Sequence, residues 1–584
     1  MRVGAAWLAL IVALVLAGCG ESDDGGGTES ARHLDPRSDA VVALDLDYES
    51  ANWEQIKRLY ARVIESGVVS DDEFGGFVPP TLEGALGAAS VSAGLSFADD
   101  VKPLLGGTLY AGVRVEPAEP LSPQSRDILE RLDDDATDFG RDEVRYFDRD
   151  GRQLDTRAVN RALDEDASRE PVVTATIVYQ VGDADALDRV IEKLRGQGLR
   201  PQPIPGAEDA VSLTEGVAVV GGDTIVAVVA ADSETSDRLL RERVAPGDAP
   251  EAPKLDGDFV ALRAAPTLLG LLLDREELAA ALETTAGAAV RGAEASLRLS
   301  DDAARADARV DFEGLADDEL PLPPAGAIEL PAGEAIVSGS ANQNVTTVFL
   351  ARLARELYPD SRFVSRVEAL EQSEGLRFED EVLRQFAGPS FTVTRPRGFQ
   401  EFEFGARSTL RDPAAMRRLL PRIAPQLPSI LEALQGLGST GMTSLLFVAP
   451  DAPLTPAAFG LLAAIRVSRL PGGATEELYE VTGLDERGLR PGPDRVVYGL
   501  IGDWFVVASS AELAREVADM PTEPAPEAGT RLQVDVTRLL EQLRLGDGAD
   551  EDVRIAQALI ASAGASASAR DGDVVADAEI VWSR

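Results

Sequence analysis

Six blocks of sequence recur in the same order along the two halves of this chain, and that ordered repeat constrains the fold more than any other feature. LDPRSDAVVALDLDY (34–48), followed by helix-spaced Trp53, Ile56, Tyr60 and Val63, matches LPAGEAIVSGSANQN (330–344), followed by Phe349, Leu353 and Leu357. FADDVKPLLGG (97–107) then LYAGV matches FEDEVLRQFAG (378–388) then FTVT. GDADALDRVIEKL (182–194) after VVTATIVYQ matches RDPAAMRRLLPRI (411–423) after FEFGARST. GDTIVAVVAADSETSDRLL (222–240) matches GDWFVVASSAELAREV (502–517), and DFVALRAAPTLLGLL (258–272) matches RLQVDVTRLLEQL (531–543). The last pair is ASLRLSDDAARADARVDF (295–312) with ASASARDGDVVADAEIVW (565–582). Common strand-then-helix patterns can mimic one or two such matches; six in order point to a duplicated unit.

The repeat sets the domain organisation. A first half spans 34–314, a Pro- and acid-rich linker LADDELPLPPAGA spans 315–327, and a second half spans 328–584. The halves differ by insertions, an Asp- and Arg-dense one at 117–170 and one at 427–454 around an apolar helix. Each half reads as α+β. VVTATIVYQ is a strand, Asp183 caps the helix carrying Leu187, Val190, Ile191 and Leu194, and Gly221-Gly222-Asp223 turns a hairpin. Ser233 to Val244 is helical and DFVALRA extended. The order β-α-β-β-α-β predicts a split-βαβ, ferredoxin-like element, with helices on one face of largely antiparallel sheets.

The N-terminus reads as an address. Arg2 and the free amine precede an apolar run of 13, Ala5 to Ala17. That length suits a signal peptide and is short of the ~20 residues a spanning helix needs. The run ends in Leu16-Ala17-Gly18-Cys19, which resembles the lipobox of bacterial lipoproteins. The resemblance implies that Leu16, Ala17 and Gly18 are read by the signal peptidase, leaving residues 1–18 as the signal. It implies that Cys19 receives a diacylglycerol on its thiol, and the new amino terminus can take a further acyl chain such as palmitate. Two or more acyl chains anchor stably where one is marginal. Residues 19–33 then form a lipidated, flexible tether, with GESDDGGGTESARH (20–33) reaching roughly 20 Å and His33 solvated at its end. The expected location is the outer face of the cell membrane.

Charge and composition exclude several functions. With 56 basic and 100 acidic residues the formal charge is −44, and removal of Arg2 makes the mature value 55 − 100 = −45. Such a chain repels a phosphate backbone, so nucleic acid is not an expected partner. One cysteine forbids an intrachain disulfide, and one histidine at position 33 leaves no Ser-His-Asp or Cys-His site in the folded region. No Gly-rich phosphate loop ending in Lys-Ser or Lys-Thr occurs.

The lipobox, the strand Pro36 to Val42, the block Phe97 to Gly107 and Gly222-Asp223, with repeats at Pro331 to Val337, Phe378 to Gly388 and Gly502-Asp503, resemble one family. It comprises lipid-anchored or membrane-tethered extracytoplasmic proteins of high-GC Gram-positive bacteria described only as a domain of unknown function. The resemblance implies an envelope location and no catalytic residues.

Oxygen-ligand metal sites would fall at Asp133-Asp134-Asp135 with Asp138, at Asp148-x-Asp150-Gly151, and at Asp164 with Asp166. The second opens like a calcium loop, but Arg152 takes its fifth position and the distal Glu is missing, so no metal and no cofactor is expected. Asp45 and Asp47 alternate with Val42, Leu44 and Leu46 and are expected on an outer face. Trp53, Trp504 and Trp582 fall in repeat blocks, where packing is the simpler role. Three functions remain. The first is a non-catalytic binding or interaction module of the envelope with a protein partner. The second is a carrier of lipid or another apolar ligand in a sheet-helix groove, and the third a carboxylate-based glycosidase, which needs neither His nor Cys. The module predicts filled cores and an exposed patch, and the carrier predicts a large apolar cavity.

Overall fold

The computed structural model describes residues 30–65, 79–132, 138–139, 144–148, 152–169, 171–271, 273–316, 319–332, 335–342, 345–357, 359, 362–386, 388–398, 401–426, 466–473, 475–482, 495–543 and 559–583. The predicted signal peptide, Cys19 and the insertion at 427–454 lie outside them.

The first set of elements begins with β1 (Ala40–Asp45), α1 (Ala51–Glu65), α2 (Leu82–Ser92) and β2 (Thr108–Glu116). Residues 117–170 hold α3 (Pro123–Arg131), a small ladder of β3 (Asp138–Phe139) with β4 (Val144–Arg145), and α4 (Thr156–Ala167). Then come β5 (Val172–Gln180), α5 (Ala184–Gly196), β6 (Gln202–Ile204), β7 (Ala207–Thr214), β8 (Val217–Val220), β9 (Thr224–Val229) and α6 (Ser233–Arg243). The set closes with β10 (Val260–Ala264), α7 (Arg275–Glu283), α8 (Thr285–Ala289), β11 (Val290–Leu299) and β12 (Ala303–Phe312).

The second set runs β13 (Gly326–Pro331), β14 (Val337–Ala341), α9 (Thr346–Leu357), α10 (Arg362–Glu374), β15 (Ser390–Gly398), β16 (Glu401–Thr409) and α11 (Pro413–Ile423). It continues with β17 (Arg466–Arg469), β18 (Glu476–Thr482), β19 (Arg495–Ile501), β20 (Trp504–Ala508), α12 (Ala511–Asp519), β21 (Thr522–Ala528), β22 (Thr530–Asp535), α13 (Val536–Leu543), β23 (Ile560–Arg570) and β24 (Asp573–Trp582). The protein is therefore mixed α+β, built on one 20-stranded sheet whose ladders are antiparallel.

Pairings give the lateral order 6-7-8-9-5-2-1-10-11-12 in the first set and 17-18-19-20-16-15-14-22-23-24 in the second. β12 and β24 pair with each other at the centre. β13 and β21 form a separate two-stranded ladder.

Local chemistry explains many of these elements. Asp183 caps α5 by accepting from the Ala186 amide, and Asp412 caps α11 through the Ala415 amide. Asp232 and Ser510 do the same for α6 and α12. Gly221 and Gly222, at φ 63° and 85°, supply the left-handed pair that turns β8 into β9. The blocks at 97 and 378 each fold into one π-helical turn, Phe97–Val101 and Phe378–Val382, followed by a 3-10 turn. That pattern buries the aromatic and valine of each block together.

The layering departs from the expected one. Helix α5 packs Leu187, Val190 and Leu194 against Leu109, Tyr179 and Ile225 on one face of the sheet. Helix α6 packs Leu240 against Tyr110, Val178 and Val226 on the other. In the second set α11 and α12 likewise take opposite faces, with Met416 near Ala406 and Val507, and Leu513 near Val497 and Val506. A ferredoxin-like unit carries both helices on one face, and its fourth strand lies beside the first; here β2 and β1 stand between β5 and β10. The physical reason is in the strands. All four residues of β8, VAVV, are buried, so both faces need cover.

Candidate interaction surface at the central seam

Among the described residues, helices cover both faces of each set; α13 covers the start of β23 and α1 the end of β11, but the middle of β11, β12, β24 and β23 is left largely open. Because strand side chains alternate, the two faces of this strip have opposite chemistry. On the face shared with α5 and α11, alternate positions of 293–299, 304–310, 574–580 and 563–569 present only Ala, Val, Leu and Ile. Ala308, Ala565 and Ala578 are exposed, and Ile580 is 37% exposed. This small-residue floor is flanked on one side by α1, whose Gln55 and Arg58 hold Asp301 at the β11–β12 turn. Elsewhere α8 meets α9 where the Thr285 amide donates to Glu356 Oε2 at 2.8 Å.

The opposite face is charged. Arg305 Nε donates to Glu579 Oε1 at 2.7 Å, and Arg309 binds Asp311 at 2.7 Å and also Asp573. Between these pairs, Asp307 stands directly opposite Asp577 in the β12–β24 register. Both side chains are exposed; partial desolvation pushes the Asp307 carboxyl up, and the Asp577 carboxyl in hydrogen-bonding reach pushes it further. Composition could not single out this pair among 100 acidic residues. One signal was available: the blocks 295–312 and 565–582 put the two aspartates in the same place.

The other residues singled out in the sequence fall as follows. Leu16, Ala17, Gly18 and Cys19 lie outside the described residues. His33 is not solvated: it is 9% exposed, and its Nδ1 lies 2.8 Å from the Arg243 carbonyl. Ala31 and Leu34 beside it are 1% exposed under α6, so residues 30–34 belong to the packed fold and not to the expected tether. Asp47 is buried rather than outward, because β1 ends at Asp45 and the chain turns there. Asp45 accepts from the Asp47 amide, Ser50 and Asn52, and thereby shapes the entry to α1.

The tryptophans of the repeat blocks, Trp53, Trp504 and Trp582, pack. Trp53 Nε1 donates to the Asp45 carbonyl, Trp582 Nε1 to the Ser300 carbonyl, and Trp504 stacks on Arg407. Asp148 is buried and accepts from the Arg152 amide within its own turn. Among the described residues no group of three or more His, Cys, Asp or Glu could hold a metal. No described helix is long and apolar enough to cross a membrane.

Two further features escaped sequence reasoning. Lys57 and Lys102 both sit over the ring of buried Tyr48, at 3.8 and 5.0 Å. Beside them an open depression of about 610 Å³ is lined by Val91, Leu95, Phe97, Glu83 and Lys102.

No protein-family model matches the chain, and no curated protein matches it. Among solved structures, crystal form I of TP0453 aligns with 50% of this chain and 81% of its own, at 8% identity and a TM-score of 0.21. A likeness that slight carries no argument.

Proposed function

We propose that this chain is a lipid-anchored, non-catalytic interaction module on the outer face of the cell membrane, held there through Cys19. Its two halves are copies of one ancestral unit joined at the β12–β24 ladder. The duplication reading is supported by the identical strand order of the two sets and by the π-turn at the same place in each. The resemblance to the extracytoplasmic family of high-GC Gram-positive bacteria belongs to the same reading.

The observation that carries the function is the open floor of Ala308, Ala565, Ala578 and Ile580 on the central strands. The neighbouring strands bury their apolar side chains in four core clusters, whereas the alternate positions of this strip present apolar side chains, several of them exposed. A protein face with small side chains of its own can approach such a floor closely. The paired carboxyls on the reverse do not favour glycoside hydrolysis. They lie within hydrogen-bonding reach of each other on a flat face, whereas glycosidase carboxyls stand about 5 Å or more apart around the sugar bond.

The depression beside α2 favours the second reading, a carrier of an apolar ligand, because Val91 is 70% exposed at its edge. Native mass spectrometry of the protein from its host membranes separates the two. The module reading expects a bound protein that is lost in Ala578→Asp while the fold is kept. A bound lipid mass, unaffected by Ala578→Asp, would replace it with the carrier.

A further inference from the structure

The β12–β24 ladder carries the main-chain pairing between the two sets of strands within the large sheet. Asp307 and Asp577 occupy the same place in blocks 295–312 and 565–582, and they face each other across that ladder. They therefore lie on the approximate two-fold axis that relates β12 to β24. Every other pair in the ladder joins unlike places, so this is the one position where a residue meets its own counterpart.

The surrounding groups leave the pair without a committed cation. On β12, Arg305 is engaged by Glu579 of β24, and Arg309 by Asp311 and Asp573. On β11, Ser296 faces Asp307, Glu294 lies next along the same face, and Arg298 is drawn to Asp258 at 2.8 Å. On β23, Ser566 faces Asp577 and its Oγ donates to Asp577 Oδ2 at 3.3 Å. The described ion pairs bring no arginine onto either carboxyl, and Asp258 adds like charge while Arg298 offsets part of it.

We infer that Asp307 and Asp577 form a proton-operated clasp: one proton shared between them tightens the junction of the two sets, and its loss loosens it. Two ionised carboxylates directly opposed on adjacent strands repel, whereas a singly protonated pair forms a hydrogen bond across the ladder. The direction of the Asp307 titration agrees, since partial desolvation and Asp577 both raise it. An acid whose folded pKa is raised adds stability below its ordinary value, and that stability is lost as pH rises through the folded value. The lower pH is thus the tight state and the higher pH the loose one. The reverse side of the same two strands is the floor formed by Ala306, Ala308, Ala576 and Ala578, so the clasp sits beneath the proposed contact surface. The clasp itself rests on the register alone and stands whether or not that surface binds a partner.

Hydrogen exchange on the full chain tests it, with rates corrected for intrinsic pH dependence. In the wild type, protection of amides in 303–312 and 573–582 should fall as pH rises from near the ordinary aspartate value, about 3.9, to pH 7. Protection in the β2–β5 ladder should not follow it. Asp307→Asn and, separately, Asp577→Asn should abolish this fall and leave the junction at pH 7 as protected as the acid wild type. Two independent isosteric variants guard against one that folds poorly. A junction whose protection follows β2–β5 at both pH values, or falls equally in both variants, would overturn the inference.

Discussion

The guanidinium of Arg407 lies 4.4 Å from the ring of Trp504 and 4.7 Å from that of Phe391. Its Nη1 donates to the carbonyls of Ala518 at 3.0 Å and Met520 at 2.9 Å, at the C-terminal end of α12. A buried charge on a central strand is tolerable here because the helix end offers it unpaired carbonyls and the two rings offer their faces. Burial lowers the affinity of this guanidinium for its proton without discharging it. Arg407→Ala should therefore lower unfolding stability by about 3 kcal/mol. Arg407→Lys should lose less, because it keeps the charge between the rings but not the planar fork. Urea midpoints of the two variants give the order.

Asp100 and Lys193 make a second connection, at the first π-turn. Asp100 is 1% exposed; Lys193 Nζ reaches its Oδ2 at 2.6 Å and the Ser96 amide donates to it at 2.7 Å. Burial pushes this carboxyl up, but Lys193 and the Ser96 amide outweigh that, and the net direction is down. A lowered acid contributes stability above the ordinary aspartate value of about 3.9, and loses it as pH falls through the folded value. Asp100→Asn should cost about 1–2 kcal/mol at neutral pH, since Lys193 is half-exposed and screened. The gap between variant and wild type should close on acidification below about pH 4, read from urea midpoints at both pH values.

Gly499 sits in β19 at φ 150°, and a Cβ built there would lie 2.1 Å from the Glu477 carbonyl oxygen on β18. The obstacle is backbone of a paired strand and cannot swing aside. Gly499→Ala should cost about 2–4 kcal/mol, whereas Gly473→Ala, with nothing within 4 Å, should be near neutral. Thermal unfolding of the two variants provides the comparison.

Cys19→Ser should move the protein from the membrane fraction to the soluble fraction. Residues from Ala31 onward pack into the fold, so His33 cannot serve in the proposed tether. A variant that stays on washed membranes would remove the anchor from the proposed function.

Features governed by neighbours in sequence were legible before the fold was known. The Asp183 cap, the Gly221-Gly222 hairpin, the strand 172–180 and the helix from Ser233 depend on residues within a few positions, and all four occur as read. Features decided at a distance were not. His33 is buried by Arg243, 210 positions away, although GESDDGGGTESARH looks uniformly polar. The second helical layer was signalled by the unbroken apolar runs VAVV and TIVAVV, which a one-sided sheet would not require. The open floor is Ala-rich and alternates with charge, so ADARVDF reads as a solvated strand until its partner strand is placed beside it.

The order of charges along β12 and β24 also decides which strands can pair. If two copies of residues 34–314 met through β12 about the same axis, Arg305 of one would face Arg309 of the other. Two copies of the second half would set Val575 against Glu579. In the full chain Arg305 meets Glu579 instead, and Arg309 reaches across to Asp573. The charges on the two strands thus form a matched couple, so β12 discriminates against a second β12 and favours β24, which protects a long exposed strand from the strand-swapped dimers it would otherwise invite.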